Sequence, residues 1–107
     1  MNLSPSNLTL PSEPEPMLKL RLYVAGNALN SLRARANLQA LCEEYFSARY
    51  ALEVVDIFEE PLQALADKVL MTPMLIKLAP TPSVRIAGDL SDKTNVLLAL
   101  QAGMRDP

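Results

Sequence analysis

Residues 17–24 read M-L-K-L-R-L-Y-V, and this alternation constrains the fold more than any other feature of the chain. Leu18, Leu20, Leu22 and Val24 fall on one side and Lys19, Arg21 and Tyr23 on the other, the signature of a strand with one dry face. The loop A-G-N-A-L-N follows, and then Leu32, Leu38, Leu41, Cys42 and Tyr45 recur at three- and four-residue spacing. That spacing predicts a helix to about Phe46, capped by Asn30 or Ser31.

A second strand is predicted over Y-A-L-E-V-V-D-I-F at 50–58. Glu59-Glu60-Pro61 then starts a helix, with acids at its positive end and proline in its first turn. It would run to about Leu70 with Leu62, Leu65 and Val69 inward. M-L-I-K-L-A at 74–79 and S-V-R-I-A at 83–87 read as two strands joined tightly by P-T-P. Gly88-Asp89-Leu90 turns, Ser91 caps, and a last helix over Val96, Leu97 and Leu100 runs to Gly103. The order βαβαββα, with right-handed crossovers, is that of an α/β thioredoxin-like sheet. Between residues 70 and 100 local preference is divided. Thr72-Pro73 is also a good helix start, M-L-I-K-L-A holds strong helix formers, and T-N-V-L-L-A-L suits a strand as well as a helix.

The composition narrows the function classes. At 107 residues this is one domain, read as 17–107, large enough for a core without metals or disulfides. Residues 1–16 hold four of the nine prolines and no periodic pattern, which reads as a disordered tail. A single cysteine excludes an internal disulfide and points to a reducing cytoplasm. The longest apolar run, V-L-L-A-L at 96–100, is too short to span a bilayer, and no signal peptide is evident. Net charge is −2, which speaks against nucleic acid; Tyr23 between Lys19 and Arg21 on a sheet face is weak support for it. Charge is nonetheless segregated. Lys19, Arg21, Arg33 and Arg35 stand in 17–42 with no acid, whereas seven acids face Arg49 alone in 43–67. A polar face for a protein partner is one reading, and two ordinary solvated faces the other.

Catalytic chemistry is missing where it would be sought. The absence of histidine removes Ser-His and Cys-His pairs and, with one cysteine, a conventional zinc site. Three scattered glycines make no phosphate loop. A thiol oxidoreductase carries its low-pKa cysteine where the first helix begins, and here that junction reads Gly26-Asn27-Ala28-Leu29-Asn30-Ser31. Cys42 falls on the apolar stripe instead. Ser31 or Tyr23 standing in for cysteine, as in a glutathione-transferase-like enzyme, is the weaker alternative. The chain reads as a non-enzyme without a cofactor.

L-Y-V-A-G-N (22–27), N-S-L-R-A (30–34), Y-A-L-E-V-V-D-I (50–57), D-K-V-L-M-T-P-M-L (67–75) and V-R-I-A-G-D-L-S-D (84–92) together resemble the KaiB circadian-clock proteins. The resemblance covers roughly residues 17–95 and not the tail. It implies a cytoplasmic timing protein that binds the KaiC ATPase ring and modulates its phosphorylation cycle. It also implies two folds: a homo-oligomeric ground state, tetramer or dimer, ordered βαββααβ, and a thioredoxin-like monomer that binds the ring. The bound form captures KaiA and displaces the kinase SasA. A KaiB-like adaptor of a non-circadian, stress-response KaiC-type ATPase is the alternative within the same resemblance.

Residue by residue, the resemblance places Arg33, Lys68, Lys77 and Arg85 at KaiC-binding positions. Tyr50, Ala51, Leu52 and Glu53 fall on the edge where KaiA docks, and Pro73, Pro80, Pro82, Gly88 and Asp89 on the fold switch. Thr72-Pro73 would open a helix in one fold and form a cis turn before a strand in the other. Departures mark a divergent paralogue: Glu53 stands where the family usually has lysine, Glu59-Glu60 replaces a more basic or neutral turn, and Val84 replaces an arginine. Charge reversal at 53 puts KaiA binding in doubt.

Overall fold

A computed structural model describes residues 17–47 and 49–104, so the tail read at 1–16 lies outside the described residues. The elements are strand β1 (Leu18–Val24), helix α1 (Leu29–Tyr45), strand β2 (Tyr50–Asp56), helix α2 (Pro61–Ala66), strands β3 (Met74–Ala79) and β4 (Val84–Ala87), and helix α3 (Lys93–Gln101). This is the βαβαββα order expected from the sequence; the order βαββααβ is not the one seen. The strands form one sheet, β2-β1-β3-β4, with β1 parallel to β2 and the other neighbours antiparallel. Parallel neighbours require a crossover, and α1 provides it.

The alternation in β1 sorts the core into two parts. Leu18, Leu20, Leu22 and Val24 pack with Ala34, Leu38, Leu41, Cys42 and Phe46, with Leu75 of β3, and with Leu90, Val96 and Leu100. Helices α1 and α3 thus cover one face of the sheet. On the other, a smaller cluster joins Tyr23, Val55, Ala64 and Ile76, with Ile57, Val69 and Met74 at its margin. Tyr23, read as a polar-side residue, is fully buried.

Several expected details differ. Helix α1 begins at Leu29 after Ala28, with no side-chain cap. Ser31 is buried instead, and its Oγ accepts a 3.0 Å hydrogen bond from the Ala25 N–H, fastening the loop after β1. With Ser31 and Ala34 turned inward, the helix phase leaves Leu32 and Tyr45 exposed rather than in the core. Strand β2 ends at Asp56, whose carboxylate accepts from the N–H groups of Gly26 (3.3 Å) and Phe58 (2.9 Å). Helix α2 starts with Pro61 as expected but stops at Ala66. Lys68 adopts a left-handed φ of 56° and its N–H bonds the Leu65 carbonyl, which closes the helix well before Leu70. Leu62 and Leu65 are exposed, and Ala64 takes the inward position. At α3 the cap is Asp92, accepting from the Asn95 N–H at 3.2 Å, and not Ser91, whose N–H instead donates to Asp89.

The peptide bonds Thr72–Pro73, Ala79–Pro80 and Thr81–Pro82 are cis. Gly88 has φ +106° and its N–H donates to the Pro73 carbonyl at 3.0 Å, tying the turn after β4 to the start of β3. Gly103 (φ +84°) is packed so tightly that a Cβ there would run into the Thr81 carbonyl.

Candidate partner-binding surfaces

The junction after β1 is where this fold places redox chemistry. Tyr23 pairs with Met74, so the Thr72–Pro73 step stands level with the end of β1. The junction holds no thiol. Cys42 is fully buried in α1, and burial, with Glu43 adding to it, pushes its thiol up to about 12. A thiol so placed does not ionise near neutral pH and is no nucleophile.

The most connected polar group lies on the sheet face that carries α2. The register puts Glu53, Arg21, Ile76 and Arg85 in one row across the four strands. Arg21 Nε donates to Glu53 Oε1 at 2.7 Å and Nη1 to Asp67 Oδ2 at 3.0 Å. The Tyr23 hydroxyl donates to Asp67 and lies 3.2 Å from the Gln63 carbonyl. Arg85 donates to the backbone carbonyls of Asp67 and Lys68. Glu53 foremost, then Asp67, raises the Arg21 pKa, while Tyr23 and then Arg21 hold the Asp67 carboxyl below its usual range. Desolvation, reinforced by Asp67, pushes the Tyr23 phenol up to about 12.

The basic set expected to meet a ring is therefore divided. Lys68 and Arg85 come together at the loop after α2, both exposed. Arg33 is exposed on α1, near Asp89. The Asn37 amide donates to the Asp89 carbonyl at 2.8 Å, and hydrogen bonds from Ser91, with a smaller pull from Arg33, lower the Asp89 pKa. Lys77 stands apart from this set: it is fully buried, its side chain on the face of the sheet that carries α3. Its amine donates to the carbonyls of Ala99 (3.4 Å) and Ala102, and burial lowers its pKa. It holds the C-terminal end of α3, where orphan carbonyls collect, and is not available at the surface of this fold.

Tyr50–Glu53 lie on the edge strand β2, with Ala51 and Glu53 exposed and Tyr50 and Leu52 half-buried. Beside this edge runs a groove of about 390 Å³, floored by Tyr50, Leu52 and Val54 and walled by Arg35, Gln39 and Glu43. Tyr50 donates its hydroxyl to Glu43, which, ahead of burial, pushes that phenol up to about 12. Sequence reasoning missed the Arg21–Asp67–Tyr23 network and the outward leucines of α2. The three charges or hydroxyls were legible, but not that a short helix would bring Asp67 over the strand. Among the described residues no helix is long and apolar enough to cross a membrane, and no cluster of potential metal ligands occurs.

Comparison with known proteins agrees with this geometry. The KaiB domain model matches residues 21–102. The chain is 48% identical, over 87 residues, to the circadian clock oscillator protein KaiB of Prochlorococcus marinus strain MIT 9313, covering 81% of this chain and 73% of that one. Among solved structures, the N-terminal domain of Synechococcus elongatus SasA matches with a TM-score of 0.67 at 23% identity, over 98% of this chain and 99% of that one. Mitochondrial thioredoxin 3 of Saccharomyces cerevisiae matches with a TM-score of 0.65 at 15% identity, over 80% and 78%. These last two establish a thioredoxin-like fold.

Proposed function

The chain belongs to the KaiB family, and we propose that it is a non-enzymatic clock component that binds a KaiC-type ATPase ring and modulates the ring's phosphorylation cycle. What carries this reading is the likeness, along most of the chain, to a protein described as a circadian clock oscillator. The thiol-free β1–α1 junction and the inert Cys42 support a binding role over a redox one.

Lys68 and Arg85, with Arg33, form the exposed basic set that meets acids of the ring. Lys77 acts from inside the fold, by holding α3. The exposed edge of β2 at Tyr50–Glu53 offers backbone pairing to KaiA or a KaiA-like protein. The Arg21–Glu53 ion pair gives that edge a neutralised rather than a basic surface. A SasA-like kinase, whose N-terminal domain has the same fold, competes for the ring. Pro73, Pro80, Pro82, Gly88 and Asp89 bound the segment that refolds between this arrangement and βαββααβ. Its supporting feature is the divided local preference of residues 70–100.

Co-elution with each KaiC-type ATPase of the source organism, sampled from minutes to a day after mixing, tests the proposal. A complex that grows slowly with one of them is expected, and Arg85→Glu should weaken it. No complex with any ring at micromolar concentrations, nucleotide being present, overturns ring binding.

A further inference from the structure

Helix α3 is fastened to the rest of the molecule in three places, and the last is unlike the others. At its start Asp92 caps it, and the Lys93 amine donates to Glu44 at 2.8 Å above the Tyr45 ring. In its middle Val96 and Leu100 are buried in the main core. At its end the carbonyls of Ala99 and Ala102 meet the amine of Lys77. There too Gly103 is seated so close to the Thr81 carbonyl that a Cβ would run into it.

Lys77 brings an ion into a dry place. It is fully buried, in the sheet row between Leu20 of β1 and Val84 of β4. Among the described residues no carboxylate pairs with it. Its three N–H groups have two acceptors, and the nearer turn supplies a poor one: the Ala99 carbonyl stands 3.4 Å away and already accepts the Ala102 N–H at 3.3 Å. The negative end of the α3 dipole offsets part of the cost of taking an ammonium out of water, but a cation buried without a counter-charge remains unfavourable. The lowered pKa of the amine has the same origin. An apolar side chain of similar length would fill this space without that cost. The contact that joins the end of α3 to β3 therefore opposes its own closure, because the amine regains water when the end lifts.

We infer that Lys77 is a release point: its buried cation keeps the docked end of α3, residues 99–104, close to letting go, so that α3 leaves the sheet before the rest of the fold opens. Nothing comparable acts on β1, whose core-facing side chains are three leucines and Val24. Departure of α3 is an opening step for the refolding of residues 70–100 proposed above. It is measured with no ring present, so its failure leaves ring binding untouched, and the failure of ring binding leaves it standing.

Native-state amide hydrogen exchange of the full chain near neutral pH tests it. In the wild-type chain the amides of Leu97–Gln101 should be protected at least roughly tenfold less than those of Leu20–Leu22. Lys77→Met should raise protection in α3 by roughly tenfold and shift β1 less. Lys77→Gln, which is neutral but can still donate, should act in the same sense, and it separates charge from packing. Gly103→Ala, by unseating the end, should lower protection in α3 and leave β1 unchanged. Equal protection of α3 and β1 in the wild-type chain overturns the inference, since α3 then opens only with the whole fold. So does a loss of protection, or none gained, in α3 of both Lys77 variants, which would make the cation a fastening.

Discussion

On one face of the sheet, β1 lays Leu18, Leu20, Leu22 and Val24 against two helices, and nothing charged but the Lys77 amine enters. On the other, the same strand presents Lys19, Arg21 and Tyr23 to a six-residue helix and to water. The first face is held by apolar area, which is insensitive to pH and tolerant of small shifts in partner position. The second is held by the small cluster of Tyr23, Val55, Ala64 and Ile76 and by directed contacts converging on Asp67, and it leaves the leucines of α2 outside. One strand thus gives the molecule a densely packed half and a half whose outer surface is exposed.

The sharpest way to break this comparison is to delete volume on each face. Leu20→Ala or Leu38→Ala removes a fully buried side chain from the dry face and should cost about 2–5 kcal/mol in urea unfolding. Leu62→Ala and Leu65→Ala should stay within about 0.5 kcal/mol of the parent. Equal losses on the two faces would mean that α2 packs inward in solution.

A smaller effect is the pH dependence, in which Tyr23 carries the part of the face that bears α2. The Tyr23 phenol ionises near 10 when unfolded and is pushed up to about 12 in the fold, so its contribution is complete below pH 10 and is lost as pH rises through about 12. Cys42, raised from 9, and Tyr50, raised from 10, act in the same sense. Lys77 opposes them: its lowered pKa means that stability is regained as pH rises from that value towards 10.5. Tyr23→Phe isolates the one contribution. The variant should be less stable than wild type at pH 8, by about 1 kcal/mol for the lost hydrogen bonds, and should overtake it towards pH 12. Parallel stability curves for the two proteins would show that Tyr23 ionises freely in the fold.

The two faces also differed in how far the sequence disclosed them. The dry face was readable because alternation in β1 and the spacing of Leu38, Leu41 and Cys42 are imposed by burial itself. The phase of α1 slipped because Ser31, read as a cap, is held inward by the Ala25 N–H, a contact between a loop and a helix that no periodicity records. In α2 the periodic leucines were read inward by the same rule, and the rule failed. Ala64 takes the inward place instead, packed in the cluster with Tyr23, Val55 and Ile76. Among the basic residues to which the resemblance points, exposure of Arg33, Lys68 and Arg85 follows from their being charged. Burial of Lys77 does not, since it depends on carbonyls of α3 some twenty-two residues away and more.

The smallest expected effect lies at the margin of the wetter face, where Arg21 meets Glu53. The pair is short, 2.7 Å, but the Glu53 side chain is 51% exposed, so water and salt screen it. Arg21 keeps its second bond, to the less exposed Asp67, when Glu53 is neutralised. Glu53→Gln should therefore cost no more than about 1 kcal/mol, and the cost should vanish in high salt. Asp67→Asn should cost more, because it weakens the contacts of both Arg21 and Tyr23 at once. Urea titrations of the two variants at low and high salt measure the difference. The reverse order would move the centre of this face from Asp67 to the edge strand, and would make Glu53 its main structural residue.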